Sequence, residues 1–154
     1  EAMVAAGYYL TFDVVQHSLR HVRWPGRFER IDDALILDAA HNPHAANALV
    51  KTWRVEFPDI KPAIIFGAVE DKATSEVLEI LSEIAEEFHF VPVKSPRGLP
   101  PEAHRVDLPS INHPNLPSAL TATKALPTLL TGSLFLLGEA KALINQEKIR
   151  PSSQ

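Results

Sequence analysis

A short apolar run that leads through a tight loop into an amphipathic helix occurs twice in this chain, and this pairing constrains the fold more than any other feature of the sequence. In the first unit Ala34-Leu35-Ile36-Leu37 is the apolar run. Asn42 then stands where a helix cap belongs, with Pro43 at the first helical position and Ala45, Leu49, Thr52 and Trp53 along one side. In the second unit Ala63-Ile64-Ile65-Phe66 precedes a loop at Gly67 to Asp71 and a stripe of Val77, Leu81, Ile84, Ala85 and Phe88. Runs that do not alternate apolar with polar residues belong to strands covered on both faces. Such strands alternating with helices predict an α/β domain with a mostly parallel, doubly wound sheet. The two units share an architecture without sharing sequence, so they are not an internal repeat.

The remaining segments extend this pattern. A third strand is expected at roughly Phe88 to Val93. Between Pro92 and Pro117 lie seven of the thirteen prolines, which removes backbone donors and restricts this stretch to loop with short extended pieces, one of them at Val106 to Leu108. A helix from about Ser118 to Leu126 and a strand at Thr128 to Thr131 lead through Gly132-Ser133 into a last helix with Leu136, Ala140, Leu143 and Ile144 toward the core. The opening Glu1 to Val22 carries Phe12, Val15, Leu19 and Val22 at helical spacing but starts without a cap. Residues 1–23 are therefore expected to be the tail of a preceding domain or an interdomain helix, 24–147 the domain itself and 148–154 a flexible tail.

Composition narrows the function. A chain of 154 residues that is 45% apolar and 22% charged has the size and make-up of one domain with a single core. A net charge of -4 creates no field that attracts DNA, RNA or an anionic membrane surface. With no cysteine, disulfides and thiolate zinc sites are excluded. The densest apolar stretch, Leu126 to Ile144, is interrupted by Pro127, Gly132, Gly138, Glu139 and Lys141 and is unsuited to crossing a bilayer. No charged segment followed by an apolar run opens the chain, so a cytoplasmic location is expected.

In a doubly wound sheet, ligands bind beyond the carboxyl ends of the strands. The richest loop there is Asp38-Ala39-Ala40-His41-Asn42-Pro43-His44, which puts a carboxylate at a strand end, an imidazole shortly after it, and then a helix N-terminus whose amides favour an anion. Read from spacing alone, Asp38 and Asn42 are equally compatible with simple turn capping and His41 with a surface position. A zinc-binding helix needs two histidines four apart with a glutamate between them, whereas His41 and His44 are three apart with Pro43 at the helix start. The loop Gly67-Ala68-Val69-Glu70-Asp71-Lys72 ends in a lysine, and Thr131-Gly132-Ser133 offers a hydroxyl on a flexible turn. Neither Gly-x-x-x-x-Gly-Lys-Ser/Thr nor Gly-x-Gly-x-x-Gly occurs, so the chain has no phosphate-cradling loop of its own. His17, His21, His89, His104 and His113 are dispersed and read as structural.

The order and wording of these loops resemble one family. Trp24-Pro25-Gly26-Arg27, Leu37-Asp38-Ala39-Ala40-His41-Asn42-Pro43, Gly67 to Lys72 and Thr131-Gly132-Ser133-Leu134-Phe135 are similar to the C-terminal half of folylpolyglutamate synthases and dihydrofolate synthases. There the motifs read Trp-Pro-Gly-Arg, Asp-Gly-Ala-His-Asn-Pro, a glycine-led loop ending in Asp-Lys, and Thr-Gly-Ser before an aromatic residue. Pro96-Arg97-Gly98-Leu99-Pro100 resembles the family's proline-rich loop, and the resemblance runs from about Trp24 to Ile144. Ala39 departs from the family's glycine and puts a methyl group where the backbone is expected to approach a ligand.

That family belongs to the Mur ligase group, in which a central P-loop ATPase domain precedes a smaller three-layer, Rossmann-like domain of the type expected here. The resemblance implies that ATP, with Mg2+ held by the central domain, phosphorylates a folate carboxylate, and that the amine of L-glutamate then attacks the acyl phosphate. In a dihydrofolate synthase the acceptor is dihydropteroate. The implied partners are the chain's own central ATPase domain, ATP, L-glutamate and folate or dihydropteroate, in a monomeric enzyme; the isolated segment is expected to be inactive and to hold no cofactor tightly.

Carried over position by position, Arg27 reaches a phosphate of ATP and Asp38 holds the nucleotide through its ribose. His41 is the catalytic candidate beside the acyl phosphate and the incoming glutamate, and Ser133 and Lys72 complete the substrate cleft. The plainer readings are a salt bridge for Arg27 and a solvated charge for Lys72. Two other functions share the fold: the C-terminal domain of a cell-wall Mur-type amino-acid ligase, and a free-standing nucleotide-binding or interaction module.

Overall fold

Asn42 accepts the Ala45 amide at 2.9 Å and Pro43 follows it, so the central helix of the first unit starts where its cap requires. The structure, a computed structural model, describes residues 7, 11–22, 24–70 and 73–145. In chain order these residues form α1 (Phe12–His21), β1 (Glu29–Arg30), β2 (Leu35–Leu37), α2 (Pro43–Glu56), β3 (Ala63–Phe66), α3 (Thr74–Ser82), β4 (Glu87–Phe90), a 3-10 turn (Pro101–Ala103), β5 (Ser110–Asn112), α4 (Leu116–Ala122), β6 (Thr128–Thr131) and α5 (Leu134–Ile144).

The strands form one six-stranded sheet in the order β1-β2-β6-β3-β4-β5. Only β1 is antiparallel to its neighbour; the other pairs are parallel. Successive side chains of a strand point to opposite faces, and here they feed two cores. Ile36, Ile64, Phe66, Phe88, Phe90 and Leu129 pack with Leu49, Trp53, Val77 and Leu81 of α2 and α3. Leu37, Ile65 and Leu130 pack with Leu116, Ala119, Leu136 and Ala140 of α4 and α5 on the other side. This is the expected doubly wound, three-layer arrangement. Because β6 lies between β2 and β3 while its following helix covers the opposite face, the chain reverses its winding on both sides of β6. Crevices open at such points, at the carboxyl ends of the strands.

Several local expectations need correction. The buried side of α2 is Ala46, Leu49, Val50 and Trp53, while Thr52 is exposed. The helix α3 stops at Ser82, so Ile84 and Ala85 are buried from a turn and Phe88 from β4. The short strand placed at Val106 to Leu108 lies instead at Ser110–Asn112; Val106 and Leu108 pack sideways against the core from a loop. The helix α4 starts earlier than expected because Asn115 accepts the Ser118 amide, and it ends at Ala122. On α5 the inward side is Leu136, Leu137, Glu139 and Ala140, and Leu143 and Ile144 are partly exposed. The helix α1 is capped after all, by Thr11, whose Oγ1 accepts the Val14 amide. The strand β1 was not foreseen: its two residues are polar, and a turn in which Asp32 accepts the amides of Ala34 and Leu35 brings it against β2. Among the described residues no helix is long and apolar enough to cross a membrane.

Candidate functional site

The loop after β2 begins with a carboxylate used twice. Asp38 Oδ2 accepts the Phe28 amide and Oδ1 the Ala40 amide, both at 2.8 Å. The side chain is buried, and that burial raises its pKa above the ordinary aspartate value, although the two amides and the charge of Arg27 pull it down. Asp38 thereby joins its own loop to the segment that carries Arg27.

That segment is a turn dictated by sequence. The Arg27 amide donates to the Trp24 carbonyl at 3.0 Å, and Gly26 has a φ of 78°. Proline followed by glycine at the two central positions is the chemistry of a type II turn. Arg27 leaves it exposed, and with Phe28, Asp38, Asn42, His44 and Ala45 it lines a groove of about 480 Å³ against the first turns of α2. The α2 terminus offers an anion less than expected, because Asn42 already takes the Ala45 amide and Pro43 has none.

His41 faces a second, smaller pocket. Its Nδ1 lies 2.8 Å from the Ala39 carbonyl, which can only accept, so Nδ1 carries the hydrogen and in the neutral ring Nε2 holds the lone pair. The pocket, about 110 Å³, is lined by His41 from the β2 loop, Ala68 and Val69 from the β3 loop, Thr74 of α3, and Gly132 and Ser133 after β6. The β6 loop is tied to the β2 loop: Gly132 donates its amide and Thr131 its hydroxyl to the Ala40 carbonyl, at 3.0 and 3.2 Å. Ser133 is buried and caps α5, its Oγ accepting the Phe135 amide at 3.1 Å. The sequence candidates thus divide into Arg27 with Asp38 in one groove and His41 with Ser133 in the other pocket.

Residues 26–136 match the family described as Mur ligase, glutamate ligase domain. The chain belongs to this family. A probable bifunctional folylpolyglutamate synthase/dihydropteroate synthase of Haloferax volcanii is 31% identical over 144 residues, covering 84% of this chain and 17% of the relative. Among solved structures, a folylpolyglutamate synthase of Mycobacterium tuberculosis complexed with ADP and AMPPCP aligns with a TM-score of 0.76 and 25% identity, covering 97% of this chain and 38% of that one. A bifunctional folylpolyglutamate synthase/dihydrofolate synthase of Yersinia pestis, complexed with AMPPNP and Mn ion, aligns with a TM-score of 0.77 and 26% identity over 90% of this chain and 35% of that one. This Mur ligase domain therefore spans well under half the length of the proteins it matches.

Two features of the Mur ligase domain were not legible in its motifs. Glu29 accepts the Gly26 amide at 2.6 Å through Oε2 and receives Lys141 Nζ at 2.9 Å on both carboxylate oxygens. Burial alone pushes the Glu29 pKa up; the Lys141 hydrogen bond, the Gly26 amide and the Lys141 charge together hold it below the ordinary glutamate value. The proline-rich loop, in turn, pairs with the loop after β3. Glu70 donates its amide to the Arg97 carbonyl at 2.7 Å, Leu99 to Ala68 at 2.9 Å, and the Arg97 guanidinium reaches the Glu70 carbonyl at 2.7 Å. Lys72, which the sequence placed in the substrate cleft, lies outside the described residues. Ala39 is 2% exposed, and its methyl group packs in the core on the α5 side and lines neither pocket.

Proposed function

We propose that this chain is the C-terminal domain of an ATP-dependent ligase that adds L-glutamate to a folate or to dihydropteroate, working with a central P-loop ATPase domain elsewhere in a longer, monomeric, cytoplasmic protein. The observation that carries the reading is that the Asp38 to His44 loop after β2 contributes to two pockets, Arg27 and Asp38 lining one and His41 and Ser133 the other, where the winding of the sheet reverses. The names of the relatives favour a folate substrate over a cell-wall peptide.

The reaction moves the γ-phosphoryl group of ATP onto the acceptor carboxylate, giving an acyl phosphate and ADP. The glutamate amine then attacks the acyl carbon, phosphate leaves, and the amine loses a proton as the amide forms. Within this scheme Arg27, held on its turn, contacts the nucleotide phosphates. Asp38 keeps that turn in place and stands at the edge of the nucleotide groove. His41, with Nδ1 on the Ala39 carbonyl and its ring lining the smaller pocket, orients glutamate or accepts its proton through Nε2 where the acyl phosphate and the amine meet. Ser133 completes the substrate side, and Lys72 is assigned to it by its place in the Gly67 to Lys72 motif alone. The chemistry is mainly positioning and charge neutralisation, which is how a domain without a P-loop contributes to turnover.

Mg2+ does not fit the described residues of this domain. It prefers several oxygen ligands, and Asp38, the one carboxylate among the described residues that line the two pockets, already holds two amides. The metal belongs with the phosphates on the central domain. The decisive experiment compares the purified chain with a protein that includes the ATPase domain. The longer protein is expected to ligate glutamate, whereas this chain alone shows no ATP hydrolysis or ligation and binds ATP no tighter than roughly millimolar. Turnover by the isolated chain clearly above a heat-inactivated control refutes the reading.

A further inference from the structure

We propose that Glu29 is a positioning residue for Arg27, itself held in place by Lys141 of the helix that Ser133 caps. The inference rests on the reading of Arg27 as a phosphate contact. It begins with how few bonds hold the Arg27 turn. The Gly26 peptide is fixed at both ends: its amide donates to Glu29 Oε2 at 2.6 Å, and its carbonyl accepts the Ala39 amide at 2.9 Å. On the other side of Arg27, the Phe28 amide is held by Asp38, and Phe28 has a left-handed φ of 43°. Arg27 is therefore flanked by two residues with positive φ, each secured by a carboxylate. Phe28 in that region lies above its ordinary conformations by about 1 kcal/mol or more and is held there by Asp38, whereas Gly26 adopts its positive φ freely and has its peptide fixed in direction by Glu29, so both carboxylates set the direction of Arg27.

Glu29 differs from Asp38 in what lies behind it. Lys141 Nζ bonds both of its oxygens, and Lys141 is on α5, whose first turn is capped by Ser133 beside His41. The turn also sits directly on α5: a methyl group added at Gly26 would come within 2.3 Å of Leu137 Cδ2. The ion pair has an electrostatic consequence too. An unpaired glutamate two residues from Arg27 would oppose an anionic ligand, and Lys141 cancels that charge while leaving the carboxylate able to hold Gly26. A glutamate acting only as a surface ion pair would have no reason to take a backbone amide at the centre of the turn.

The test uses the full-length protein with its ATPase domain and measures KM for ATP and for glutamate separately, with melting temperature alongside. Glu29→Ala is expected to raise the ATP KM about tenfold and leave the glutamate KM within about twofold. In an Arg27→Ala background the same change should add less than about twofold, because a positioning residue acts only through the group it positions. Lys141→Arg should stay near wild type and Lys141→Met should fall between. If Glu29→Ala folds poorly, Glu29→Gln keeps one acceptor for Gly26 and is expected to show the same pattern at about threefold. A lowered melting temperature with unchanged ATP KM, or an equal rise in both backgrounds, overturns the inference while an effect of Arg27→Ala alone keeps the nucleotide reading intact. An Arg27→Ala protein with unchanged ATP KM and turnover refutes that reading and this inference with it.

Discussion

The carboxylate of Asp38 holds the backbone amide of Phe28, ten residues earlier in the chain, through Oδ2 at 2.8 Å. With Oδ1 on the Ala40 amide, one buried side chain fixes both the loop that presents His41 and the turn that presents Arg27. Fold stability and the placement of both candidate side chains are therefore joined at this residue.

Asp38→Asn tests the join. An amide side chain has a single acceptor oxygen, so one of the two backbone amides must meet an NH2 group instead. The variant is expected to lose about 1–3 kcal/mol of stability, and turnover of the full-length protein is expected to fall as the Arg27 turn loosens. Urea unfolding and turnover measured on the same preparation check this. Lost turnover at unchanged stability would mean that Asp38 acts on the nucleotide alone.

The parts legible in the sequence were those governed by local chemistry. Asn42-Pro43 capped α2, and the strand expected at Thr128 to Thr131 is β6 at those bounds. Long-range pairing was not legible. Glu29 and Lys141 are 112 residues apart, and neither belongs to a motif. The polar β1 became a strand only because the Asp32 turn folds it against β2. Phe88 fits a helical stripe and a strand equally well by spacing; its parallel pairing with β3 and β5 decides for the strand. That Ser133 and His41 share a pocket follows from β6 being inserted between β2 and β3, and the linear order does not reveal that insertion.

Gly132 and Gly138 make opposite predictions within seven residues of chain. Gly132 has a φ of 107°, and an added Cβ would lie 2.7 Å from the Phe66 ring and 2.8 Å from the Gly67 carbonyl oxygen. Gly132→Ala is expected to cost about 2–4 kcal/mol and to displace Ser133 from its pocket. Gly138 sits inside α5 with nothing within 4 Å of an added Cβ. Gly138→Ala is expected to stabilise by about 0.5–1 kcal/mol. Thermal or urea unfolding of the two variants decides; destabilisation by Gly138→Ala would mean that α5 is closely packed at Gly138.

His41 is exposed, so its replacement should affect chemistry without affecting the fold. In the full-length protein His41→Gln is expected to lower turnover by about tenfold to a thousandfold while changing stability by no more than about 0.5 kcal/mol. A pH profile separates the roles. If His41 takes the glutamate proton, the acid limb of turnover disappears in the variant; a limb that persists unchanged has another source.

His104 has two ring nitrogens, Nδ1 and Nε2, that are both buried and have no hydrogen-bond partner among the described residues. The ring lies 5.3 Å from Phe66 and 5.0 Å from Phe90, centroid to centroid. Burial in these surroundings, aided by the positive charge of Arg105, lowers its pKa from 6.5 to about 4. In the unfolded chain the imidazole titrates at its ordinary value, so between the two values the unfolded state binds the proton and the folded state does not. Stability is therefore fully present above pH 6.5, declines as the pH falls through the window from 6.5 to about 4, and levels off for this group below it. By pH 5 the loss from this one group is about 2 kcal/mol. Carboxylates titrate in the same range, so the measurement must be a difference. Urea unfolding of wild type and His104→Phe is compared at pH 7.5 and at about pH 5. The phenyl ring keeps the aromatic contacts and removes both unpartnered nitrogens, so the variant is expected to be at least as stable at neutral pH and to lose about 2 kcal/mol less on acidification. Equal losses in the two proteins would show that His104 is protonated in the folded state, and that its nitrogens find a partner which this packing does not provide.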